Sequence, residues 1–494
     1  MYSVSSTFIQ KMNELYTEHR LTGTIGSVQF TEENIVEGSF SISNQSTDTS
    51  DVVLGSCYVG ELTAEFTGIS INWSDWVGKV ITPSFGLKIG PGANDWESVP
   101  LGVFKVAKAT HTRAGVQVTA YDNMTKFDKK FKKSHFMGVS GMYNIINQIC
   151  TDCGVTLGMT SAQIQALPNG TRTGINIYGS SGLKKDFAND IDTYRDLLFW
   201  CAQTLGCFAT IDRTGQLVFR QYTQNVVENI SDRNRIEGAT FEDYITHYIG
   251  IYVENLDSNT EDYYGYDAAA LQAEITETEG EITADNIRIG ELDAELIAWK
   301  AKLDNHECTQ EEYDAAVAEI DAELFPLQKE VKQLSKRLSW LQKAYAQSGQ
   351  DGADMVLGAN PLTMAKNLTT RDAQRREILE ALAGISYTPF SASVICGAHY
   401  DLGDVIQFSG GLYNSATDTF GCVMAWTYTH NQGTELQGFG VDPAIVQVRN
   451  KTQKSTDRSE RNAIETINNS GYTLQKIDDT TTPTPPAGME NNKV

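Results

Sequence analysis

Residues 310–345, QEEYDAAVAEIDAELFPLQKEVKQLSKRLSWLQKAY, carry the clearest pattern in the chain. Tyr313, Val317, Ile320, Leu324, Leu327, Val331, Leu334, Leu338, Leu341 and Tyr345 follow one another at alternating steps of four and three. Such steps form the a/d seam of a heptad helix, which turns one apolar face toward one partner. Upstream, Ile275, Ile282, Ile289, Leu296 and Leu303 recur at sevens, flanked by Leu271, Leu292 and Trp299. The stretch between, 304–310, is polar, and Thr309 with Glu312 has capping-box spacing, so a second helix starts there.

Charge decides how the two runs meet. Glu274, Glu277, Glu279, Glu281 and Asp285 lie near the start of the first, and Lys329, Lys332, Lys336, Arg337 and Lys343 near the end of the second. Folding back at 304–310 sets the acidic run beside the basic one, and each also suits its own helix dipole. A continuous rod would not align them within one chain. The expectation is an antiparallel coiled-coil hairpin, roughly 50 Å long at 1.5 Å per residue. Gly280 and Gly290 weaken its first arm by about 1 kcal/mol each relative to Ala. Pro326 predicts a kink in the second, since it lacks an N–H and clashes one turn back.

Outside the hairpin the chain reads as strands and turns. Its 494 residues are enough for about three domains, and its 41 glycines with few prolines suit β-rich units joined by tight turns. A formal charge of −24 argues against gripping a nucleic-acid duplex, which needs basic surface. No apolar run is long enough to span a membrane, and the opening MYSVSSTFIQKMNELYTEHR lacks a signal-peptide core. Eight scattered cysteines fit reduced thiols from cytoplasmic synthesis.

A helix is expected over 5–20, with Phe8, Met12, Leu15 and Tyr16 on one face, followed by short strands to about Asp122 that make a β-barrel or sandwich. The next unit is α/β: a helix at 141–151, a helix capped by Thr193 and stopped by Gly206, and a strand–turn–strand with its turn at Asp212–Gly215. Strands resume at 236–253, and a β-rich part with a helix at 370–383 follows the hairpin. Beyond Val448 the chain is polar, with a short helix at 452–476 and a final segment whose composition predicts disorder.

Catalytic signatures do not emerge. Cys150 and Cys153 form C-x-x-C, and Cys201 and Cys207 lie in the same unit, so a four-thiolate zinc site is conceivable. The second pair has the wrong spacing, however, and Cys201 sits on an apolar helix face, which favours buried thiols. The seven histidines never pair as HxxxH or HxH, and neither a G-x-S-x-G elbow nor a phosphate loop is present. Lys129, Lys130, Lys132 and Lys133 read as a solvated face rather than an anion site. No cofactor or metal is expected, and no enzymatic activity.

Several phrases resemble the tail hub proteins of bacteriophages and prophages. In the N-terminal part they are FTEENIVEGSFSIS, VLGSCYVGELTAEF, VPLGVFKVAKA and VTAYDNMTKFDK, and in the middle TYRDLLFWCAQTLGCFATIDRTGQLVFRQY. Near the end they are LGANPLTM, ISYTPFSASVICG, YDLGDVIQFSGG and CVMAWTYTH. The resemblance implies an α+β, mainly β chain with two tube-like β-barrel domains flanking a small α/β domain. The expected division is 1–122 and 236–265 with 350–448 for the barrels, 123–235 for the α/β domain, 266–349 for the hairpin and 449–494 for a polar extension.

The resemblance further implies a homotrimer in the virion tail, joining a tail-tube or distal tail protein to tip or receptor-binding proteins. DNA would pass through an acidic channel without specific binding. Two alternatives stand beside it: a host-surface binding module, with Trp73, Trp76 and Trp96 as candidate sugar platforms, and a peptidoglycan hydrolase. The hairpin lies outside the shared pattern.

Overall fold

In the computed structural model, described for residues 1–442 apart from 15–16, 48–51, 178–190, 223–225, 232–233, 237–238, 256–260, 350–351, 366, 384, 396 and 410–418, the body is mixed α+β and mainly β. A short helix α1 (Ser6–Met12) precedes β1 (His19–Ile25), β2 (Val28–Thr31), β3 (Ser41–Gln45), β4 (Glu61–Phe66), β5 (Val80–Lys88), β6 (Trp96–Pro100), β7 (Phe104–His111) and β8 (Val116–Tyr121). The middle stretch supplies α2 (Met142–Cys153), α3 (Ser161–Gln165), α4 (Tyr194–Thr204), β9 (Phe208–Ile211), β10 (Leu217–Arg220) and β11 (Val226–Ile230). Then come β12 (Thr240–Phe241), β13 (Thr246–Glu254), β14 (Glu261–Gly265), the long helices α5 (Ala268–Asp304) and α6 (Gln310–Gln347), and β15 (Ala353–Leu357). Helix α7 (Leu368–Leu382) leads to β16 (Ser386–Tyr387), β17 (Phe390–Val394), β18 (Val405–Phe408), β19 (Thr419–Cys422), β20 (Ala425–Thr429) and β21 (Gly433–Gly438).

Twelve strands join in one sheet, ordered β12-β17-β21-β20-β3-β4-β8-β7-β5-β1-β2 with β6 also on β5, and it curls into a half-barrel. Its late strands meet its early ones at β20 against β3, antiparallel, where Thr427 faces Ser43 and Tyr428 faces Ile42. Alternation sets which side is dry: β4 buries Leu62, Ala64 and Phe66 and leaves the residues between half-buried. One apolar core therefore spans both ends of the chain. Phe85 meets Tyr428 edge-on at 5.9 Å and Phe8 at 6.5 Å. Trp76 is buried here and stacks on Phe66, so it presents no platform to a sugar. The ring of Trp96 is covered by the Arg20 guanidinium at 4.2 Å.

The opening helix is shorter than the 5–20 expected from its apolar face. Ser5 caps it, Asn13 ends it after Met12, and His19 and Arg20 already belong to β1, where they pair with Leu87 and Gly86. Tertiary pairing with β5 overrides the helical period. The middle unit has its own core, with Ile145, Ile146 and Ile149 of α2 against Leu197, Leu198 and Cys201 of α4. Gly154 closes α2 at φ 66°, the left-handed geometry that glycine adopts without a Cβ clash. Thr193 and Asp196 cap α4 reciprocally.

The hairpin is seated on one strand. β13 pairs antiparallel with β14 on one side and parallel with β15 on the other, so Gly250 faces both Gly265 and Asp354. The chain leaves the body from β14 and returns through β15, only two strand spacings away, roughly 10 Å. The polar extension and its short helix at 452–476 lie outside the described residues.

Candidate functional site

Two features stand out as candidate sites: the hairpin, and a half-buried ionic clasp in the body. Asp267 starts α5 by accepting hydrogen bonds from the backbone N–H groups of Ala269 and Ala270. Thr309 starts α6, with Glu312 bonding back to the Thr309 N–H at 2.9 Å. Between them His306 takes φ 63°, which lets the chain reverse. The second helix runs through Pro326 without a break.

The two arms meet in two apolar patches. At the base, Leu271 and Ile275 pack with Leu341 and Ala344 and with Ala383 just beyond α7, and Leu338 joins them half-buried. Midway, Leu292, Ile320 and Leu324 are buried together, with Ile289, Leu296, Trp299 and Leu327 around them. Ile282, Leu303, Val317, Val331 and Leu334 are half-buried and belong to neither patch. Tyr345 is 43 % exposed, and the buried positions of that turn are Ala344 and Gln347.

Ion pairs fix the register from outside. Arg337 Nη2 lies 3.2 Å from Glu274 Oε2, and Arg288 Nε donates to Glu323 Oε1 at 2.7 Å. The first is the acid-to-base alignment that the charge runs predict. Below the base, Gln347 donates to the carbonyls of Ala383 and Ile385 at 3.2 and 3.4 Å. Glu380 is pushed up to about 7 by burial, against the pull of Arg337 and with the help of Glu274 and Glu377.

The clasp is built around Asp401. Arg213 donates through Nε to Asp401 Oδ1 at 2.8 Å, and through its two other nitrogens to the carbonyls of Pro100 and Tyr400, both at 2.8 Å. Arg220 adds Asp401 Oδ2 at 3.1 Å and the Leu402 carbonyl at 3.2 Å. Burial opposes the charge on Asp401, but Arg213 and Arg220 hold it well below the usual carboxylate range. Arg213 sits at the tip of the β9–β10 turn, where the Asp212 carboxylate accepts from the N–H groups of Thr214 and Gln216. One guanidinium thus ties the middle unit to β6 and to the loop before β18. A cleft of about 60 Å³ opens beside it, lined among others by Asn44, Asp122, Arg220 and Trp426. Close by, His399 Nε2 lies 2.8 Å from Glu228 Oε2 in a buried pair.

Sequence spacing does not single out this clasp, because 188 residues separate Arg213 from Asp401. The one local sign is an arginine at the tip of a tight Asp–Gly turn.

Of the thiols singled out in the sequence, Cys150, Cys201 and Cys207 are buried in the middle unit's core, and burial pushes the Cys150 and Cys153 thiols up to about 12. A thiol held protonated is a poor nucleophile and a poor ligand. Among the described residues no group of three or more His, Cys, Asp or Glu could hold a metal ion. Lys129 donates to the Asp152 carbonyl at 2.6 Å. No described helix is long and apolar enough to cross a membrane.

The chain is similar to the 43 kDa tail protein of prophage MuSo2 from Shewanella oneidensis, with a TM-score of 0.41 and 8 % identity over 86 % of this chain and 99 % of that one. It is also similar to a chain in the structure of the phage P2 baseplate in its activated conformation with Ca, with a TM-score of 0.25 and 10 % identity over 86 % and 98 % of the two chains. Both are components of phage or prophage tails. No protein-family model and no curated protein matches the sequence.

Proposed function

We propose that the chain is a structural tail protein of a phage or prophage, a trimeric hub that joins the tail tube to the tip and lines or closes the channel for DNA. The observation that carries the reading is where the hub-like phrases fall. FTEENIVEGSFSIS ends in β3 and CVMAWTYTH contains β20, the two strands that close early and late chain into one sheet. TIDRTGQLVFRQY and YDLGD supply Arg213, Arg220 and Asp401 of the clasp. The phrases thus sit at joints, which is what a scaffold has to build.

The segments 1–122, 236–265 and 350–448 make the ring-forming body, and 123–235 braces it. The acidic balance of −24 keeps DNA from sticking to the channel wall. Partners are a tail-tube or distal tail protein above and tip proteins below. Averaged electron-microscopy images of the purified protein test this directly, with three-fold particles expected. A protein that stays monomeric in light scattering, even mixed with its tail-tube protein, sinks the proposal.

A further inference from the structure

The face of α5 turned away from α6 carries a repeat of its own. From Gly280, steps of three and four land on Thr283, Ile287, Gly290, Ala294 and Ile297, and the stepping extends back to Thr276 and on to Ala301. No charged residue interrupts it. The inner residues Ile275, Ile282, Ile289 and Leu296 occupy other heptad positions, so one helix carries two seams.

All of the outer positions are exposed, and Ile287 and Ile297 are 60 % and 71 % exposed. A Cβ built at Gly280 or Gly290 would meet nothing within 4 Å. Neither glycine is therefore required by packing inside this chain, although each weakens the helix. The two polar members turn their hydroxyls inward. Thr276 donates to the Gln272 carbonyl at 2.9 Å and Thr283 to the Glu279 carbonyl at 2.7 Å, which frees their methyl groups for apolar contact.

We infer that this outer seam packs against the same helix of a second copy of the chain, parallel and in register. Charge selects that occupant. In parallel heptads a residue flanking one side of the seam meets the residue five positions on in its neighbour. Glu279 then meets Ala284, Asn286 meets Glu291, and Asp293 meets Ala298, so each pair holds one carboxylate and one neutral group. Turned end for end at full overlap, Glu279 would face Asp293 of the second copy. Glycine and alanine let the two backbones approach closely, with the isoleucines filling the space between. Parallel copies require a rotation axis along the helices, which is ring symmetry. The inference agrees with the trimer proposed above but needs only a second copy.

Ile287→Cys tests it in the full-length chain. Mild oxidation should join two chains through residue 287 into a covalent dimer band, while Glu295→Cys, off the seam on the same helix, and the unsubstituted protein should not cross-link. Ile287→Glu with Ile297→Glu should cut that helix–helix association at least tenfold by analytical ultracentrifugation, with unchanged circular dichroism. A trimer in which Ile287→Cys gives no chain-to-chain product overturns the inference and leaves the trimer standing. Cross-linking at 287 without a trimer overturns the trimer and leaves the inference. A protein monomeric by every measure, with no cross-link, removes both.

Discussion

In the hairpin, α5 and α6 are neighbours in sequence and meet across a five-residue turn, 305–309. In the sheet, β3 and β20 come from opposite ends of the chain and pair across most of its length. The hairpin closes a short loop at little entropic cost, whereas the sheet must close a very long one. Each compensates differently. The hairpin gets by on two apolar patches and exposed ion pairs, while the sheet is backed by a core that includes Phe85, Tyr428 and Phe8 and by the half-buried charge pair of Arg213 and Asp401. Local construction tolerates exposure; distant construction demands burial.

The sharpest way to break this contrast is Arg213→Ala. It leaves the half-buried Asp401 carboxylate with Arg220 and the N-terminal amine of Met1 but without its main partner, and it unties Pro100 and Tyr400. The expected loss is about 3 kcal/mol in denaturant unfolding of the body. Hydrogen exchange in α5 and α6 should stay unchanged. A loss confined to the hairpin would invert the comparison.

Leu292→Ala should do the converse. It opens a cavity in the middle patch and costs about 2–3 kcal/mol. Amides of α5 and α6 should exchange faster while those of β3 and β20 keep their protection, and equal loosening of both would show the two parts to be one cooperative unit.

The hairpin's base adds a pH dependence. Glu380, near 4.5 when unfolded and about 7 when folded, holds a proton in the native state that the unfolded chain releases. Stability should therefore fall as pH rises from about 4.5 to about 7 and level off above, by on the order of 1–2 kcal/mol. Thermal midpoints across that window measure it, and Glu380→Gln should flatten the slope. An unchanged slope would move the effect to another buried carboxylate, such as Asp122. The smallest effect is that of Thr309→Ala, which removes the hydroxyl cap of α6 for about 1 kcal/mol, read as fraying of its first turn by exchange.

What the sequence makes legible follows the same division. The Thr309–Glu312 box, the turn between the arms and the Thr193 cap are all set by residues a few positions apart, and the structure has each. The early end of α1 is invisible in sequence because pairing of His19 and Arg20 with β5 decides it. The β3–β20 join and the Arg213–Asp401 pair are invisible for the same reason, since no local pattern encodes a partner so far along the chain.

The seat of the hairpin has a mechanical consequence. β13 holds β14 and β15 through five paired positions on each side, and the hairpin connects to the body through those two strands and the packing at its base. A force applied at the tip divides between two hydrogen-bonded ladders that share one central strand. Each ladder therefore carries only part of a load that a lone strand would bear whole.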